Sequence, residues 1–301
     1  MDENQVYDLI IVGGGPAGLT AGIYAKRAAL NTVLIEKGVP GGQVAVTPAV
    51  ENYPGFPEIG GFDLCEKFLE HAKGYDLEIL QAEAHGVQPG SDVHTVRLDD
   101  GTALKAHAVI LATGGTARTL NVPGEHEYFG QGVSYCATCD GFFFRDKAVA
   151  VIGGGDTALE DALYLAKIAT KVYLIHRRDA FRGSKILQDQ VLAEPRIEPV
   201  LNAVLDEIRA DENGVCGLSV KDTQTGNITE LECQGVFILV GFSPNKDLVP
   251  PGIDMSPASY VLTDEKCETS IPGIFAVGDL RQKYANQIVL AAADGCTAAL
   301  A

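Results

Sequence analysis

The sequence lacks any apolar run approaching the roughly eighteen residues that a membrane-spanning helix needs. It also lacks the basic and apolar regions of a signal peptide, because its first four residues are mostly acidic or polar. These two absences predict a protein with no membrane partner and a cytoplasmic location.

Positive charge is scarce as well. The chain has 23 lysines and arginines against 40 aspartates and glutamates, which gives a formal net charge of -17. A nucleic-acid partner needs a basic face to meet its phosphates, and the long-range field here is repulsive. We therefore expect no nucleic-acid partner, although a nucleotide can still bind locally through backbone amides and placed arginines.

Metal-ligand spacing is absent too. The seven cysteines include one C-x-x-C pair, whereas structural zinc needs four ligands, typically from a second such pair or from paired histidines. The other five cysteines and the six histidines are scattered, so we predict no metal site. A merely structural disulfide is also disfavoured, since a chain without a secretory signal is expected in a reducing compartment.

The C-x-x-C pair therefore calls for another explanation. It lies in residues 136–141 (CATCDG), where Cys136 and Cys139 can close a small disulfide. One thiol of such a pair usually has a depressed pKa and attacks as the thiolate. The neighbouring Asp140 is a carboxyl that could protonate a departing thiolate if its pKa is raised. The segment thus predicts a redox centre.

A glycine loop near the start of the chain has the context of a dinucleotide fold. Residues 7–12 (YDLIIV) read as a strand, a G-x-G-x-x-G loop begins at Gly13, and a helical pattern follows from residue 19. Glu36 ends the next predicted strand, twenty-three positions after Gly13. The loop can approach a pyrophosphate with its backbone, and Glu36 can accept hydrogen bonds from ribose hydroxyls.

The same strand, loop and helix recur in residues 147–169, so the chain holds two dinucleotide modules. The residue twenty-three positions after Gly153 is not an acid but the first of a basic set: His176, Arg177, Arg178 and Arg182. An acid there would repel a 2′-phosphate, whereas cationic donors attract one. The second module is therefore predicted to prefer NADPH to NADH.

The order of the remaining elements places the second module inside the first. Residues 195–233 read as an antiparallel meander, residues 271–279 as a strand ending at Asp279, and residues 287–300 as a helix. The Asp279 carboxylate can accept a hydrogen bond from a sugar or ribityl hydroxyl, or it can cap a helix. We predict an α/β fold with two dinucleotide-binding (Rossmann-like) domains, the second inserted into the first.

Four segments resemble the low-molecular-weight (bacterial type) thioredoxin reductases: CATCDGFF at 136–143, KAVAVIGGGDTALEDALYL at 147–165, HRRDAFR at 176–182 and IPGIFAVGDL at 271–280. The resemblance spans nearly the whole chain in order. It implies an FAD-binding domain formed by residues 1–116 and 245–301, and an NADPH-binding domain with the redox dithiol at 117–244. It further implies thioredoxin as the protein substrate, a homodimer, and rotation of the second domain between half-reactions.

The resemblance also implies site residues. FAD would contact the residues Gly13, Gly15, Pro16, Ala17, Glu36, Gly42, Gln43, Asn52, Asp279, Gln287 and Ile288. NADPH would contact Gly155, Asp156, Thr157, Ala158, His176, Arg177, Arg178 and Arg182. In similar enzymes the cysteine matching Cys139 faces the flavin, the one matching Cys136 attacks thioredoxin, and the residue matching Asp140 is the acid. The chain departs from the family at Asn286, usually arginine, and at Gln131, often basic.

Two alternatives stay open. The enzyme could reduce another disulfide, either that of a glutaredoxin-like or peroxiredoxin-linked carrier or that of a small molecule. From another class, the chain could be a non-catalytic, nucleotide-binding redox sensor. Measuring NADPH oxidation with each candidate disulfide distinguishes the first alternative from reduction of thioredoxin. A yellow preparation that NADPH bleaches rejects the second alternative.

Overall fold

The structure is a computed structural model that describes residues 5–47 and 49–301. Residues 1–4, on which the expectation about a leader depends, lie outside the described residues, as does residue 48. None of the helices in the described part of the chain is long and apolar enough to cross a membrane.

The strands, in chain order, are β1 (Val6–Val12), β2 (Thr32–Glu36), β3 (Glu78–Gln81), β4 (Ala84–Gln88), β5 (His94–Leu98), β6 (Ala103–Leu111), β7 (Gly115–Ala117), β8 (Val133–Ser134), β9 (Ala148–Ile152), β10 (Lys171–Ile175), β11 (Ile197–Val200), β12 (Ala203–Asp211), β13 (Gly214–Asp222), β14 (Ile228–Glu232), β15 (Gly235–Ile238), β16 (Phe242–Pro244) and β17 (Ile274–Ala276). The α-helices are α1 (Pro16–Arg27), α2 (Gly61–Lys73), α3 (Ala137–Asp140), α4 (Asp156–Leu165), α5 (Lys185–Ala193) and α6 (Ile288–Leu300). Three 3-10 turns lie at Gly42–Val46, Gly141–Phe144 and Gly278–Leu280.

The chain divides into two compact units. The first consists of Met1–Thr116 together with Ser243–Ala301, and the second is Ala117–Phe242. The second unit is therefore an insertion, reached through two connections whose strands, β7 and β16, pair with each other. The assignment of FAD to the first unit and NADPH to the second stays a prediction.

The first unit is built on a sheet with the strand order β3-β2-β1-β6-β5-β4. Strands β3, β2, β1 and β6 are parallel, whereas β5 and β4 form an antiparallel extension. The long β6 pairs with β5 along its first half and with β17 along its second half, so the chain returns to this sheet after the insertion.

Both faces of this sheet are buried, which explains the almost continuous apolar run of β1. Leu9 and Ile11 pack in a cluster with residues of α1, α2 and α6. Ile10 and Val12 point to the opposite face and pack in a second cluster with β4, β5 and β17. The carboxyl end of β1 therefore leads directly into the glycine loop at a rigid position.

The second unit repeats this plan with a parallel sheet in the order β11-β10-β9-β15-β8. Val149 and Val151 of β9 pack with α4 and α5, whereas Ala150 and Ile152 pack toward the meander β12-β13-β14. Because β8 is the edge strand of this sheet, the segment that follows it, which contains the C-x-x-C pair, lies at the sheet edge.

The prediction of one antiparallel meander over residues 195–233 is wrong in its first part. Ile197–Val200 pairs in parallel with β10, and only β12 to β14 form the meander. The parallel pairing is possible because α5 supplies the crossover between β10 and β11, which parallel strands need. Most of α5 is exposed, with Val191 its buried residue, so it has little apolar periodicity to reveal it in the sequence.

Candidate active site

The C-x-x-C segment is a single tight turn that follows strand β8. Cys136 and Cys139 form a disulfide, with their Cα atoms 5.3 Å apart. Cys136 is the N-cap of α3, and its Sγ accepts a hydrogen bond from the backbone N–H of Cys139 at 3.2 Å. A hydrogen bond donated to this sulfur favours the anionic form once the disulfide is reduced.

Asp140 ends α3 and lies against a buried hydroxyl. Its Oδ2 accepts a hydrogen bond from Ser134 Oγ at 2.5 Å. Burial raises the pKa of Asp140 above its ordinary value of 3.8, and the Ser134 hydrogen bond acts in the opposite direction. Because burial is the larger cause, the carboxyl can hold a proton at higher pH than an exposed aspartate, as a proton donor to a thiolate requires.

A second carboxylate supports the dithiol turn from helix α4. Burial raises the pKa of Asp161 to about 6, and the nearby backbone N–H of Ala137 acts in the opposite direction. Sequence reasoning missed this residue. Asp161 lies three residues after Ala158 on a helix, and the sequence contains no signal that this face meets the C-x-x-C segment.

Tyr135, the residue before Cys136, is held by a third carboxylate, that of Glu125. Glu125 is fully buried and accepts hydrogen bonds from the backbone N–H groups of Leu120 and Val122. It also accepts one from Tyr135 Oη at 3.0 Å. Burial and this hydrogen bond both raise the pKa of Tyr135, so its hydroxyl stays a donor at neutral pH. The turn is thus anchored through Tyr135 on one side and Ser134 on the other.

The first glycine loop makes close approaches that only glycine permits. Gly13 has φ +111°, and a Cβ there would lie 2.3 Å from the carbonyl oxygen of Ala112. A Cβ on Gly18 would lie 1.9 Å from the oxygen of Gly13. In contrast, no described atom lies within 4 Å of a Cβ built on Gly15, so this position is open. The open side precedes α1, which begins at the buried Pro16, and its N–H groups suit a phosphate.

Glu36 closes this loop from the end of β2. Its Oε2 accepts from the backbone N–H of Gly14 at 2.6 Å, and its Oε1 accepts from Gly38 at 2.8 Å. The carboxylate has further lone-pair positions, so these contacts orient it without using up its capacity to accept from ribose hydroxyls.

Further predicted FAD residues converge on the same loop. A Cβ on Gly42 would lie 3.7 Å from the Cα of Gly15, and one on Gly278 would lie 3.2 Å from the Cβ of Ala17. The structure therefore brings Gly42 and the segment before Asp279 to the start of α1. Asn52 donates to Gln287 Oε1 at 3.3 Å, just before α6, whose first residue is the half-buried Ile288. Gln43 is exposed on its 3-10 turn.

Asp279 has an oxygen that fits a hydroxyl ligand. Its buried Oδ1 pairs with Lys283 Nζ at 3.1 Å, and a carboxylate oxygen has a further lone-pair position that can accept from a hydroxyl. Burial raises the pKa of Asp279, and the charge of Lys283 opposes that shift. Asp294, missed by sequence reasoning, holds the neighbouring backbone by accepting from Gly278 N–H at 3.1 Å, and it pairs with Arg281 Nη1 at 2.8 Å. These residues fit the ribityl or ribose part of FAD.

The second glycine loop differs from the first at the position that corresponds to Glu36, which is His176 in the second unit. A Cβ on Gly154 would lie 2.3 Å from His176 Nδ1, so the buried imidazole packs directly against this loop. Burial is the main cause that lowers the pKa of His176, followed by the charges of Arg182, Arg177 and Arg178. The charges of all three arginines thus act on the side of the loop where His176 lies, and cationic donors there suit the doubly charged 2′-phosphate of NADPH.

Among the other residues predicted to bind NADPH, some lie at open positions of the loop and others pack inside the second unit. No described atom lies within 4 Å of a Cβ on Gly155, whereas Ala158 is buried beneath Gly153. Asp156 accepts from Ser184 N–H at 2.7 Å, and Arg182 donates its backbone N–H to Gly154 at 2.7 Å. Thr157 is exposed in the first turn of α4. The segment after β10 is thereby folded back over the loop.

A metal centre has no support in the described ranges, which contain no group of three or more His, Cys, Asp or Glu side chains that could hold an ion. The free cysteines are Cys65, Cys216, Cys233, Cys267 and Cys296. Burial raises the pKa of Cys65 and Cys267 to about 11 and that of Cys233 to about 12, so these three thiols are poor nucleophiles.

Comparisons with known proteins agree with this geometry. The family described as pyridine nucleotide-disulphide oxidoreductase matches residues 7–295. The chain is 43% identical over 300 residues to a thioredoxin reductase from Bacillus subtilis, covering 99% of this chain and 94% of that protein. It is 42% identical, with a TM-score of 0.95, to the crystal structure of thioredoxin reductase from Streptococcus pyogenes, covering 99% and 97% of the two chains. A Lactococcus lactis thioredoxin reductase, titled as the FR conformation, is also 42% identical but has a TM-score of 0.65, covering 98% and 97%.

Proposed function

The chain belongs to the pyridine nucleotide-disulphide oxidoreductase family, and on that premise we propose that it reduces the disulfide of thioredoxin with NADPH, using Cys136 and Cys139 as its redox pair. It is an NADPH-dependent flavoprotein disulfide reductase, and FAD and NADPH are its cofactors. The observation that carries the proposal is a C-x-x-C disulfide next to a buried carboxyl, in the same unit as the glycine loop with its three arginines.

FAD, when bound, supplies an acceptor for the hydride of NADPH and a two-electron donor to the disulfide. The residues proposed to hold it are those of the first unit: Gly13, Gly15, Pro16, Ala17, Glu36, Gly42, Gln43, Asn52, Asp279, Gln287 and Ile288. For NADPH, the proposed contacts are Gly155, Asp156, Thr157, Ala158, His176 and the arginines 177, 178 and 182. Support comes from the open sides of Gly15 and Gly155 and from the buried Oδ1 of Asp279, whose ion pair with Lys283 leaves a lone-pair position for a hydroxyl.

The reduced pair acts on the substrate by thiol–disulfide exchange. The Cys136 thiolate attacks one thioredoxin sulfur, breaking that disulfide and forming a mixed disulfide. Cys139 then attacks Cys136 Sγ, which releases the second thioredoxin sulfur and restores the Cys136–Cys139 bond. Two electrons leave the pair, and two protons complete the two thioredoxin thiols. The N–H of Cys139, which donates to Cys136 Sγ, supports Cys136 as the attacking sulfur. Asp140 follows Cys139 directly and has a pKa raised by burial, which supports it as the proton donor to a departing thiolate.

The proposed cycle includes rotation of the second unit, because the dithiol and the NADPH loop belong to that one unit and both need the flavin. The connections offer a suitable hinge, since Gly114 and Gly241 have positive φ and flank the paired strands β7 and β16. Support comes from two relatives of equal identity that match at TM-scores of 0.95 and 0.65, the second of which is described as being in the FR conformation. A crosslink that locks the connections should allow one flavin reduction and stop turnover; undiminished turnover would exclude rotation.

The function is tested by the colour and turnover of the purified protein and of two single variants. The parent should be yellow, bleach with NADPH, and oxidise NADPH continuously only when thioredoxin is present. Cys139→Ser should block electron flow into the pair, and Cys136→Ser should leave the flavin reducible while abolishing thioredoxin reduction. Cys216→Ser, which removes an exposed thiol outside the pair, is the matched control. A colourless parent, or pair variants as active as the parent, would contradict the proposal.

Thioredoxin is the proposed partner, and the same assay with glutaredoxin-like, peroxiredoxin-linked and small-molecule disulfides tests the alternatives. The homodimer and the cytoplasmic location stay predictions, as do the expected absences of a nucleic-acid and a membrane partner.

A further inference from the structure

Ser134 makes an unusual set of contacts for a residue that no motif singled out. It ends strand β8 and is 2% exposed. Its Oγ accepts a hydrogen bond from the backbone N–H of Cys136 at 3.0 Å. The same oxygen lies 2.5 Å from Asp140 Oδ2 and 3.3 Å from the carbonyl oxygen of Cys136, and it can donate to either.

A serine hydroxyl has only one proton, so these two donations cannot occur together. When Asp140 is ionised, the shorter distance favours donation to Oδ2. When Asp140 is protonated, its own O–H can donate to Ser134 Oγ, and the hydroxyl proton can turn to the carbonyl oxygen of Cys136. Both protonation states of the buried carboxyl therefore keep a hydrogen-bond partner, as buried polar groups require.

We propose that Ser134 is a positioning residue of the redox centre, which keeps Asp140 hydrogen-bonded in both of its protonation states while it holds the main chain of Cys136. This inference rests on the proposed function, in which Asp140 gives up and regains a proton during each cycle. Ser134 does not touch the reacting sulfurs through its hydroxyl and acts through Asp140.

The Ser134 hydroxyl is the main contact through which a substitution can change the pKa of Asp140. Helix α4 packs against α3 and carries the titratable residues Asp156, Glu160, Asp161 and Tyr164, and Arg145 follows the 3-10 turn next to α3. The backbone N–H of Ala137 lies near Asp161 and lowers the pKa of that carboxyl, while burial raises it. In the described part of the chain, the causes that shift the pKa of Asp140 are burial and the Ser134 hydrogen bond. Removing the hydroxyl should therefore raise that pKa further, because burial then acts unopposed.

The experiment compares Ser134→Ala, Ser134→Thr and Asp140→Asn in the FAD-loaded enzyme. The matched control is Ser219→Ala, which removes another buried serine hydroxyl of the same unit. The pH dependence of kcat/KM for thioredoxin is measured first. The limb that Asp140→Asn abolishes should move to higher pH by about one unit in Ser134→Ala, a shift of the size that one charge-assisted hydrogen bond produces. Ser134→Thr should restore the parent profile, and Ser219→Ala should leave it in place.

The double variant Ser134→Ala/Asp140→Asn distinguishes this role from simple packing. If Ser134 acts through Asp140, the serine change should have little further effect once the carboxyl is gone. A rate loss that is equal at all pH values, and that adds fully to the loss in Asp140→Asn, would overturn the proposal. So would a limb that stays at the parent pH in Ser134→Ala.

A spectroscopic titration keeps the inference separate from the proposed function. Infrared difference spectra of the parent minus Asp140→Asn report the protonated carboxyl of the disulfide form directly, without turnover. The midpoint of this band should be higher in the Ser134→Ala background than in the parent. An inactive parent with this shift would refute the function but not the hydrogen-bond role, whereas an active parent without the shift would refute only the role.

Discussion

The preference for NADPH over NADH can be tested at Arg177 and Arg178. Both follow strand β10 and are exposed, and both lie close enough to the buried His176 to lower its pKa. Replacing either by alanine removes one charged donor to the 2′-phosphate. A charge-assisted hydrogen bond contributes about 1.5–3 kcal/mol, which corresponds to roughly a 10- to 150-fold loss in affinity.

The structure favours the lower end of that range. Exposed guanidinium groups are well hydrated in the free protein, so part of each contact is offset by desolvation. We therefore expect about a tenfold loss in kcat/KM for NADPH in Arg177→Ala and in Arg178→Ala. The loss in the double variant should be less than the product, because the remaining Arg182 and the shared phosphate couple the two sites.

The assay measures steady-state flavin-dependent turnover with NADPH and with NADH, at low and high salt. NADH has no 2′-phosphate, so its kcat/KM should change little in the same variants. Arg196→Ala, which removes an exposed arginine paired with Glu194 in the same unit, is the matched control. Equal turnover of the parent with NADH and NADPH, or equal losses for both nucleotides in the variants, would refute the assignment.

Two further predictions concern stability. Glu125→Gln keeps the shape of a buried side chain but turns one acceptor into a donor that faces the N–H groups of Leu120 and Val122. It should therefore lower the free energy of unfolding by about 1–3 kcal/mol in denaturant titrations. The exposed Glu212→Gln is the control, and an equal loss in both variants would contradict this prediction. His94 is buried, accepts from Gly90 N–H at 3.3 Å, and has a pKa lowered from 6.5 mainly by burial. A lowered pKa means that the folded state prefers the neutral ring, so this contribution to stability is present above about pH 6.5 and is lost as pH falls through the folded-state pKa. The parent should therefore lose more stability than His94→Gln between pH 7 and pH 5, and parallel curves for the two proteins would show that His94 is not the group responsible.

Local patterns were sufficient to predict much of the fold. Strand β1 at Val6–Val12 begins one residue before the predicted strand 7–12, and helix α6 at Ile288–Leu300 begins one residue after the start of the predicted helix 287–300, because both segments carry a clear apolar pattern. Helix α1 begins at Pro16, directly after Gly15 and three residues before the predicted helical pattern at residue 19, and α4 begins at Asp156, directly after Gly155. The first turn of each helix carries small or polar residues, so its apolar periodicity starts late. Helix α5 and the parallel strand β11 could not be predicted, because their structure depends on packing against β10.

The sequence by itself determined the chemical parts: a C-x-x-C pair with an adjoining acid, two glycine loops with opposite charge at the matching offset, and their order along the chain. These signals are local, because the spacing of a turn or a loop fixes which atoms can meet within it. Tertiary structure alone decided which distant groups surround those parts. Asp161 lies near Ala137 only because α4 packs on the dithiol turn, and Asp294 reaches Gly278 only because α6 packs on the 3-10 turn at Gly278–Leu280. Such contacts depend on where whole elements pack to bury apolar surface, and no residue spacing within a single segment records that outcome.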